Sequence, residues 1–464
     1  MKFSIQLSIL ILALFLNFHV LQAQHKTISK KYKEETIQSL SQLMNDFYVF
    51  PDVAKLTEQH LLFQLKEGYF NQFKSNETFA AALTESVQTI NKDKHMRIRA
   101  NRPYVAQPNS PERMIEERFD RINRSREGNS GFNTVKILEG NVGYLDLRGF
   151  AGLENGKAIT DAYMKLMART DAVIIDLSKN GGGSPNMVQY LCSYFFDEKL
   201  HLNSLYYREG NETIEFWTLD TVDGIKMSDV PLFIITSHRT FSGAEEFSYN
   251  MQTQNRATLV GQTTGGGANP GGTMRINQNL SVFIPTGKAI NPITKTNWEG
   301  VGVIPKIETT PEKSFEKTHE LAKHAAKIYR TKTKERYSKM YLDLNYKLNQ
   351  YNDIESDKSV LEDLTTYRDS NLIDEGDINN LGYIYLLQHK KTRIAQSIFK
   401  ANTMLYPNSA NVFDSYAESL MHNNDLEASQ INYQKAVDIA HKNNDRDIEV
   451  YKKNLENVKS KIKE

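Results

Sequence analysis

Two continuous apolar segments constrain the fold of this chain more than any other feature. They are Ala172–Leu177 and Pro231–Thr236, and each leads through a short polar or Gly-rich turn into a segment that reads as a helix. Strands without hydrophobic alternation are typical of parallel sheets covered on both faces. Strands that alternate with helices over residues 131–315 therefore predict an α/β domain.

A helical region precedes this domain. Ile37, Leu40 and Met44 recur at helical spacing, and similar patterns continue towards residue 100. Residues 105–132 are polar and contain Pro and Gly, so they read as a loop. The prediction is an N-terminal helical domain over residues 24–130.

Residues 316–464 are again helical and mostly polar. Ala395/Ser429 and Phe399/Tyr433 match at an interval of 34 residues. Small and aromatic residues at this interval fit tetratricopeptide-like helix pairs, which can bind a protein partner. A plain helical bundle is the alternative.

The first 23 residues have the pattern of an export signal. Lys2 provides the positive start, Ile9–Leu21 the apolar stretch and Ala23 the small residue before a cleavage point. The apolar stretch is shorter than the roughly 20 residues that span a bilayer. We therefore expect residues 1–23 to be removed, leaving an exported protein, periplasmic or secreted, with no membrane span.

Composition excludes several classes of function. The 57 Lys and Arg residues against 56 Asp and Glu residues leave a net charge of +1, so no broad basic surface for nucleic acid is expected. Cys192 is the single cysteine, which excludes an internal disulfide and a cysteine zinc site. Zinc-binding histidine motifs and the lysine of a phosphate loop are absent, so neither a metal nor a cofactor is predicted.

Ser242 is the best candidate nucleophile. It follows the strand Pro231–Thr236 and precedes a helix, and catalytic groups of open α/β sheets gather at such strand ends. The amide of Gly243 and those of the glycine run at residues 181–183 are possible oxyanion donors. The alternative is purely structural, because Ser242 with Glu245 also forms a capping-box pattern.

A serine nucleophile needs a base and an acid that orients it. His95 and His238 are both candidates for the base, and position in the chain does not decide between them. For the acid, Glu299 stands beside the local alternatives Glu245 and Glu246.

Four motifs in order carry a family resemblance. They occupy residues 174–183, 236–247, 260–268 and 297–305. Together they resemble the C-terminal-processing (tail-specific) serine peptidase family, and within it the interphotoreceptor-retinoid-binding-protein-like branch related to the tricorn protease core. The segments around Phe47 and His95 are also similar to the helical N-terminal region of that branch.

The resemblance implies a crotonase-like ββα spiral core. It also implies Ser242 as nucleophile, His95 as base and Glu299 as the supporting glutamate, with the amides of Gly182 and Gly243 as oxyanion hole. The reaction would be hydrolysis of peptide bonds through an acyl-enzyme.

The chain departs from the family in three respects. Tail-specific proteases carry a catalytic lysine about 25 residues after the serine, whereas position 267 here is Gly, which favours the histidine form. Lys94 precedes His95 where tricorn-like members have Ser. No segment resembles a PDZ domain.

The predicted function is therefore an exported serine-type peptidase acting on peptides or unfolded polypeptides. The alternative is a non-catalytic protein on the same scaffold that binds a hydrophobic ligand or a protein. The C-terminal helices are a candidate surface for a protein partner in either case.

Overall fold

The computed structural model describes residues 27–101, 110–352 and 354–463. The chain forms two compact units, one ending at Tyr329 and the other comprising Arg330–Glu464. The predicted export signal, residues 1–23, lies outside the described residues. Within the described ranges, no helix has the length and apolar character needed to cross a membrane.

Three helices and a small sheet form the start of the first unit. The helices are α1 (Lys30–Phe47), α2 (Pro51–Lys66) and α3 (Asn76–Asn91). The sheet has the antiparallel order β1-β10-β9, with β1 at Ile98–Ala100, β9 at Gly271–Arg275 and β10 at Leu280–Pro285. The helices bury Ile37, Leu40 and Met44 in one core with Leu280 and Val282 of β10. This core joins the segment that carries His95 to residues from the second half of the unit.

The loop predicted for residues 105–132 is wrong over most of its length. Helix α4 spans Pro111–Glu127, whereas residues 102–109 lie outside the description. The Oγ of Ser110 accepts a hydrogen bond from the N–H of Arg113, and Pro111 occupies the first turn, where its missing N–H has no cost. Arg113 and Glu117 pair one turn apart. Capping and ion pairing thus stabilise a helix that was not predicted, because its sequence is mostly polar.

The central sheet has six strands in the order β12-β8-β7-β4-β3-β2. All neighbours are parallel except β2 and β3. The strands are β2 (Phe132–Leu138), β3 (Val142–Leu147), β4 (Ala172–Asp176), β7 (Leu232–Thr236), β8 (Ala257–Gly261) and β12 (Ile307–Glu308). Helices α5 (Leu153–Met167), α6 (Pro185–Ser193) and α7 (Gly243–Thr253) connect or follow them. The predicted α/β class is confirmed.

A third sheet has the antiparallel order β11-β5-β6. Its strands are β5 (His201–Tyr207), β6 (Glu212–Trp217) and β11 (Gly287–Ile290). Leu202 and Leu205 of β5 join Phe247 of α7 in the largest apolar core of the unit. The sheet therefore lies beside the helix that follows Ser242.

Helix α8 (Pro311–Asn349) runs from the first unit into the second, and the predicted boundary between residues 315 and 316 falls inside it. The second unit continues with α9 (Ile354–Asp369), α10 (Glu375–Tyr383), α11 (Thr392–Leu405), α12 (Ala410–His422), α13 (Leu426–Asn443) and α14 (Ile448–Lys463). Ala395, Phe399, Ser429 and Tyr433, the residues of the predicted repeat, are all buried.

Candidate active site

A cavity of about 640 Å³ contains most of the predicted catalytic residues. Ser242 and Gly243 line it from the start of α7, and His95 lines it from the segment between α3 and β1. Residues of β5, β9, β10 and β11 complete the wall. The fold thus brings Ser242 and His95, which are far apart in the chain, to the same cavity.

Ser242 lies at the N-terminus of α7 in an unusual backbone conformation. Its φ is 55° and its ψ is −123°, a combination that costs a non-glycine residue about 1–3 kcal/mol. Neighbouring contacts hold the turn: the N–H of Phe241 donates to the carbonyl of Asn180 at 3.0 Å. The hydroxyl of Thr240 donates to the carbonyl of Leu177 at 2.8 Å. Strained backbone held in this way is typical of functional sites.

Glu245 stabilises this turn from inside the protein. Its buried carboxylate accepts hydrogen bonds from the N–H of Ser242 at 2.9 Å, from Gly266 N–H at 2.6 Å and from Gly267 N–H at 2.8 Å. The hydroxyl of Thr264 is a fourth donor. Burial raises the pKa of Glu245, and these donors oppose the rise. Glu245 therefore joins the serine turn to the 264–267 loop and is not available to orient a histidine.

His95 is held between two aromatic rings. Its ring centroid lies 4.5 Å from that of Phe241 and 5.6 Å from that of Phe283. Burial, followed by the positive charge of Arg97, lowers the pKa of His95 to about 4. The imidazole is therefore neutral at pH 7, which is the form that accepts a proton.

Two carboxyl groups face His95. One ligand atom from each of Asp93, His95 and Glu299 lies within 4.8 Å of the others, and Asp93 Oδ1 is 4.0 Å from His95 Nδ1. His95 Nδ1 and Glu299 Oε1 both lack a hydrogen-bond partner among the described residues. The same three side chains could also hold a divalent metal ion.

The two carboxyl groups are held differently. Asp93 accepts hydrogen bonds from the His95 N–H at 3.0 Å and the Asn269 amide at 2.9 Å. Glu299 Oε2 accepts one from the N–H of Ala268 at 2.5 Å. Burial and the nearby Asp93 charge raise the pKa of Glu299 to about 8. Burial also raises the pKa of Asp93, although its hydrogen bonds oppose the rise.

Asp93 was not predicted as a site residue, although it lies two residues before His95. Its neighbour Lys94 does not turn towards the imidazole, because the Lys94 ammonium donates to the carbonyl of Gly265 at 2.6 Å. Position 267 is occupied by Gly for a steric reason: a Cβ there would lie 2.7 Å from His95 Cε1. A side chain at that position is incompatible with the observed position of His95.

His238 is separate from this arrangement. Its exposed ring places Nδ1 3.3 Å from the amide oxygen of Gln262, and it does not line the cavity. Of the two candidate bases, the structure brings only His95 to the cavity of Ser242.

The glycine loop lies directly against the serine turn. A Cβ on Gly243 would lie 3.2 Å from the N atom of Gly183, and both residues line the cavity. The predicted donor Gly182 also lies against this turn, since a Cβ there would be 2.8 Å from Gly243 N, but its amide is engaged elsewhere. Its N–H donates to Asn180 Oδ1 at 2.8 Å, and it lines a neighbouring cavity instead. The Gly182 amide is thus already paired.

Models of known protein families match two long segments of the chain. Residues 141–309 match the model of peptidase family S41, and residues 22–127 match that of the N-terminal domain of peptidase S41 in eukaryotic IRBP. Together the two models cover more than half of the chain, and they define it as a serine-type peptidase. The chain belongs to peptidase family S41.

The chain is similar over part of its length to several solved structures. One is a lipoprotein from Streptococcus agalactiae, at 17% identity and a TM-score of 0.42, and the match covers 63% of this chain and 96% of that one. A second is the photosystem II D1 C-terminal processing protease, at 12% identity and a TM-score of 0.38, and the match covers 61% of this chain and 94% of that one. A third is mature CPAF, at 12% identity and a TM-score of 0.45, and the match covers 64% of this chain and 98% of that one.

Proposed function

We propose that the chain hydrolyses peptide bonds through an acyl-enzyme formed on Ser242. The observation that carries the proposal is the shared cavity of Ser242 and a buried, neutral His95, whose Nδ1 lies 4.0 Å from Asp93 Oδ1 and whose ring has Glu299 nearby. This orientation leaves Nε2 to take the proton from Ser242 Oγ as it attacks the substrate carbonyl. The imidazolium then gives that proton to the leaving amine, and water regenerates the serine.

Glu299 is the group that orients His95. Its Oε1 has no other partner among the described residues, so it can accept a hydrogen bond from Nδ1–H. When His95 becomes an imidazolium, its charge favours the ionised form of Glu299 and offsets the effect of Asp93. Asp93 holds the backbone of His95 through the N–H of that residue.

The N–H groups of Gly183 and Gly243 form the proposed oxyanion hole. Their backbones adjoin at the cavity, whereas the amide of Gly182 is engaged by Asn180. Gly183 therefore replaces Gly182 as the donor beside Gly243. Two preorganised amides of this kind contribute on the order of 3 kcal/mol each to transition-state stabilisation.

The proposal includes export and partner binding. The signal pattern of residues 1–23 supports export, and a mature chain beginning at Gln24 is the expected product. Helices α11 and α13 begin at Thr392 and Leu426, one 34-residue interval apart, which supports a repeat surface for a protein partner.

Hydrolysis of an unfolded polypeptide tests the catalytic proposal. Purified protein is incubated with casein, and the new amino termini are counted for the wild type, Ser242→Ala, His95→Ala and an exposed control, Ser460→Ala. We expect hydrolysis by the wild type and the control only. Folded wild type without hydrolysis, or hydrolysis that persists in Ser242→Ala, would refute the proposal; the first result would favour the ligand-binding alternative.

A further inference from the structure

The cavity contains one acidic residue that the reaction does not use. Glu246 lines it from α7 and is only 5% exposed. It follows Ser242 by four residues, so the two lie on the same side of the helix start, about 6 Å apart along the axis. Glu246 therefore lies one helical turn further along α7 than the nucleophile.

Glu246 has both apolar and polar surroundings. Leu205, Ala289 and Trp298 line the same cavity. Two residues before Leu205 in β5, Asn203 is fully buried, and both polar atoms of its amide lack a well-formed hydrogen bond among the described residues. Its amide is close enough to Glu246 to favour the ionised carboxylate.

No described Lys, Arg or His forms an ion pair with Glu246. Burial raises its pKa to about 7, and the one contact that opposes this rise is with Asn203. The other charged residues on the cavity wall, apart from neutral His95, are the cations Lys94, Arg97 and Arg99, which belong to the segment around β1. The ionised form of a buried carboxyl group is normally paired, so a cation that enters this cavity would stabilise the Glu246 carboxylate.

A substrate side chain can provide that cation. Lysine and arginine combine an apolar stem, which suits the walls formed by Leu205 and Trp298, with a charged head that reaches the carboxylate. We propose that this part of the cavity receives the side chain of the residue whose carbonyl Ser242 attacks, and that Glu246 selects arginine or lysine there. The inference rests on the proposed function, because it takes Ser242 as the attacking group.

Arginine and citrulline test the inference, since they have nearly the same shape and differ in charge. Peptidyl diphenyl phosphonates carrying either side chain label an activated serine, and the second-order rate constants are compared. We expect the wild type to react at least tenfold faster with the arginine probe. Glu246→Gln should remove this preference, and Glu209→Gln, which alters an exposed carboxylate just after β5, should retain it. If the wild type reacts equally fast with the arginine and citrulline probes, the inference is overturned, regardless of how Glu246→Gln behaves.

Binding separates this inference from the catalytic proposal. Peptides ending in arginine or citrulline are titrated into Ser242→Ala by calorimetry. At least tenfold tighter binding of the arginine peptide, lost in Ser242→Ala/Glu246→Gln, would support the inference even if no probe labelled the wild type. Equal affinities would overturn it while leaving serine catalysis intact.

Discussion

At His95 the protein sets the protonation state by burial. The ring is enclosed by Phe241 and Phe283, and only 11% of the side chain is exposed. Desolvation disfavours the charged form, and Arg97 adds a repulsive charge. The base is thus kept neutral although two carboxyl groups lie beside it.

The pH dependence of kcat/KM follows from this state. The reaction needs neutral His95, and its pKa of about 4 lies below the ordinary value of 6.5. We expect activity to persist as the pH falls through 6.5 and to be lost only as it approaches 4. Arg97→Gln removes a charge that lowers this pKa, so its acidic limb should move to higher pH. An acidic limb that Arg97→Gln leaves unmoved, measured on a peptide with an uncharged side chain at the cleaved residue, would contradict this description of the base.

Gly267 limits the position of the same ring. A Cβ there would lie 2.7 Å from His95 Cε1 and 2.2 Å from Phe241 Cζ, so Gly267→Ala must displace both rings or the loop itself. Since a displacement of 1 Å at a catalytic group can cost about 100-fold in rate, we expect kcat to fall by roughly that factor. In Gly272→Ala the new methyl group meets nothing within 4 Å, so its kcat should stay within twofold of the wild type. Equal kcat values for the two variants would refute the steric argument.

At the scale of elements, the site depends on two neighbouring strand-to-helix turns. Strands β4 and β7 are adjacent and parallel, so their carboxyl ends lie side by side. The glycine loop after β4 and the serine turn after β7 are then joined by the bond from the Phe241 N–H to the Asn180 carbonyl. The proposed oxyanion donors and the proposed nucleophile are therefore positioned by the register of the sheet.

Glu245 makes the serine turn rigid, and its replacement tests that role. All the contacts described for its carboxylate come from donors, so the amide nitrogen of Glu245→Gln would oppose an N–H or O–H group. A buried donor without a partner costs about 1–3 kcal/mol. We expect the free energy of unfolding to fall by about 2 kcal/mol or more, together with activity.

The exposed glutamate Glu308 provides the control. Glu308→Gln should change the free energy of unfolding by less than about 0.5 kcal/mol. Chemical denaturation of both variants measures the difference. If Glu245→Gln is as stable as Glu308→Gln, the carboxylate does not hold the turn.

At the scale of the whole molecule, the two compact units have separate apolar cores. Chains with several units commonly unfold in more than one transition. In the second unit, Gly382 of α10 packs against Phe399 of α11, and a Cβ there would lie 2.5 Å from Phe399 Cε1. Close packing of this kind can be tested separately from catalysis.

Gly382→Ala should destabilise the second unit alone. Overpacking typically costs about 1–3 kcal/mol, so one calorimetric transition should move to lower temperature. Gly376→Ala in the same helix has only the tip of Asp374 nearby, at 3.3 Å, and should leave the transitions in place or raise one slightly. A uniform shift of every transition, or none, would contradict the prediction.

Elements whose own residues are sufficient to identify them were predicted correctly from the sequence. The buried strands β4 and β7 lack polar residues in their interiors, and the serine turn follows β7 directly, so both were predictable. The polar helix α4 was missed because capping and ion pairs, rather than an apolar face, stabilise it. The bond from the Ser242 N–H to Glu245 fits the capping-box pattern of the sequence, whereas the bonds from the 264–267 loop were missed because only the tertiary fold brings that loop near.

The most direct test of the account is to map the residue that a fluorophosphonate probe modifies. The mature wild type, Ser242→Ala, His95→Ala and Ser460→Ala are labelled and analysed by peptide mass spectrometry. The account predicts one adduct on Ser242, unchanged in Ser460→Ala, absent in Ser242→Ala and formed at least 100-fold more slowly in folded His95→Ala. An adduct on another residue, or labelling of Ser242 at the wild-type rate without His95, would contradict it.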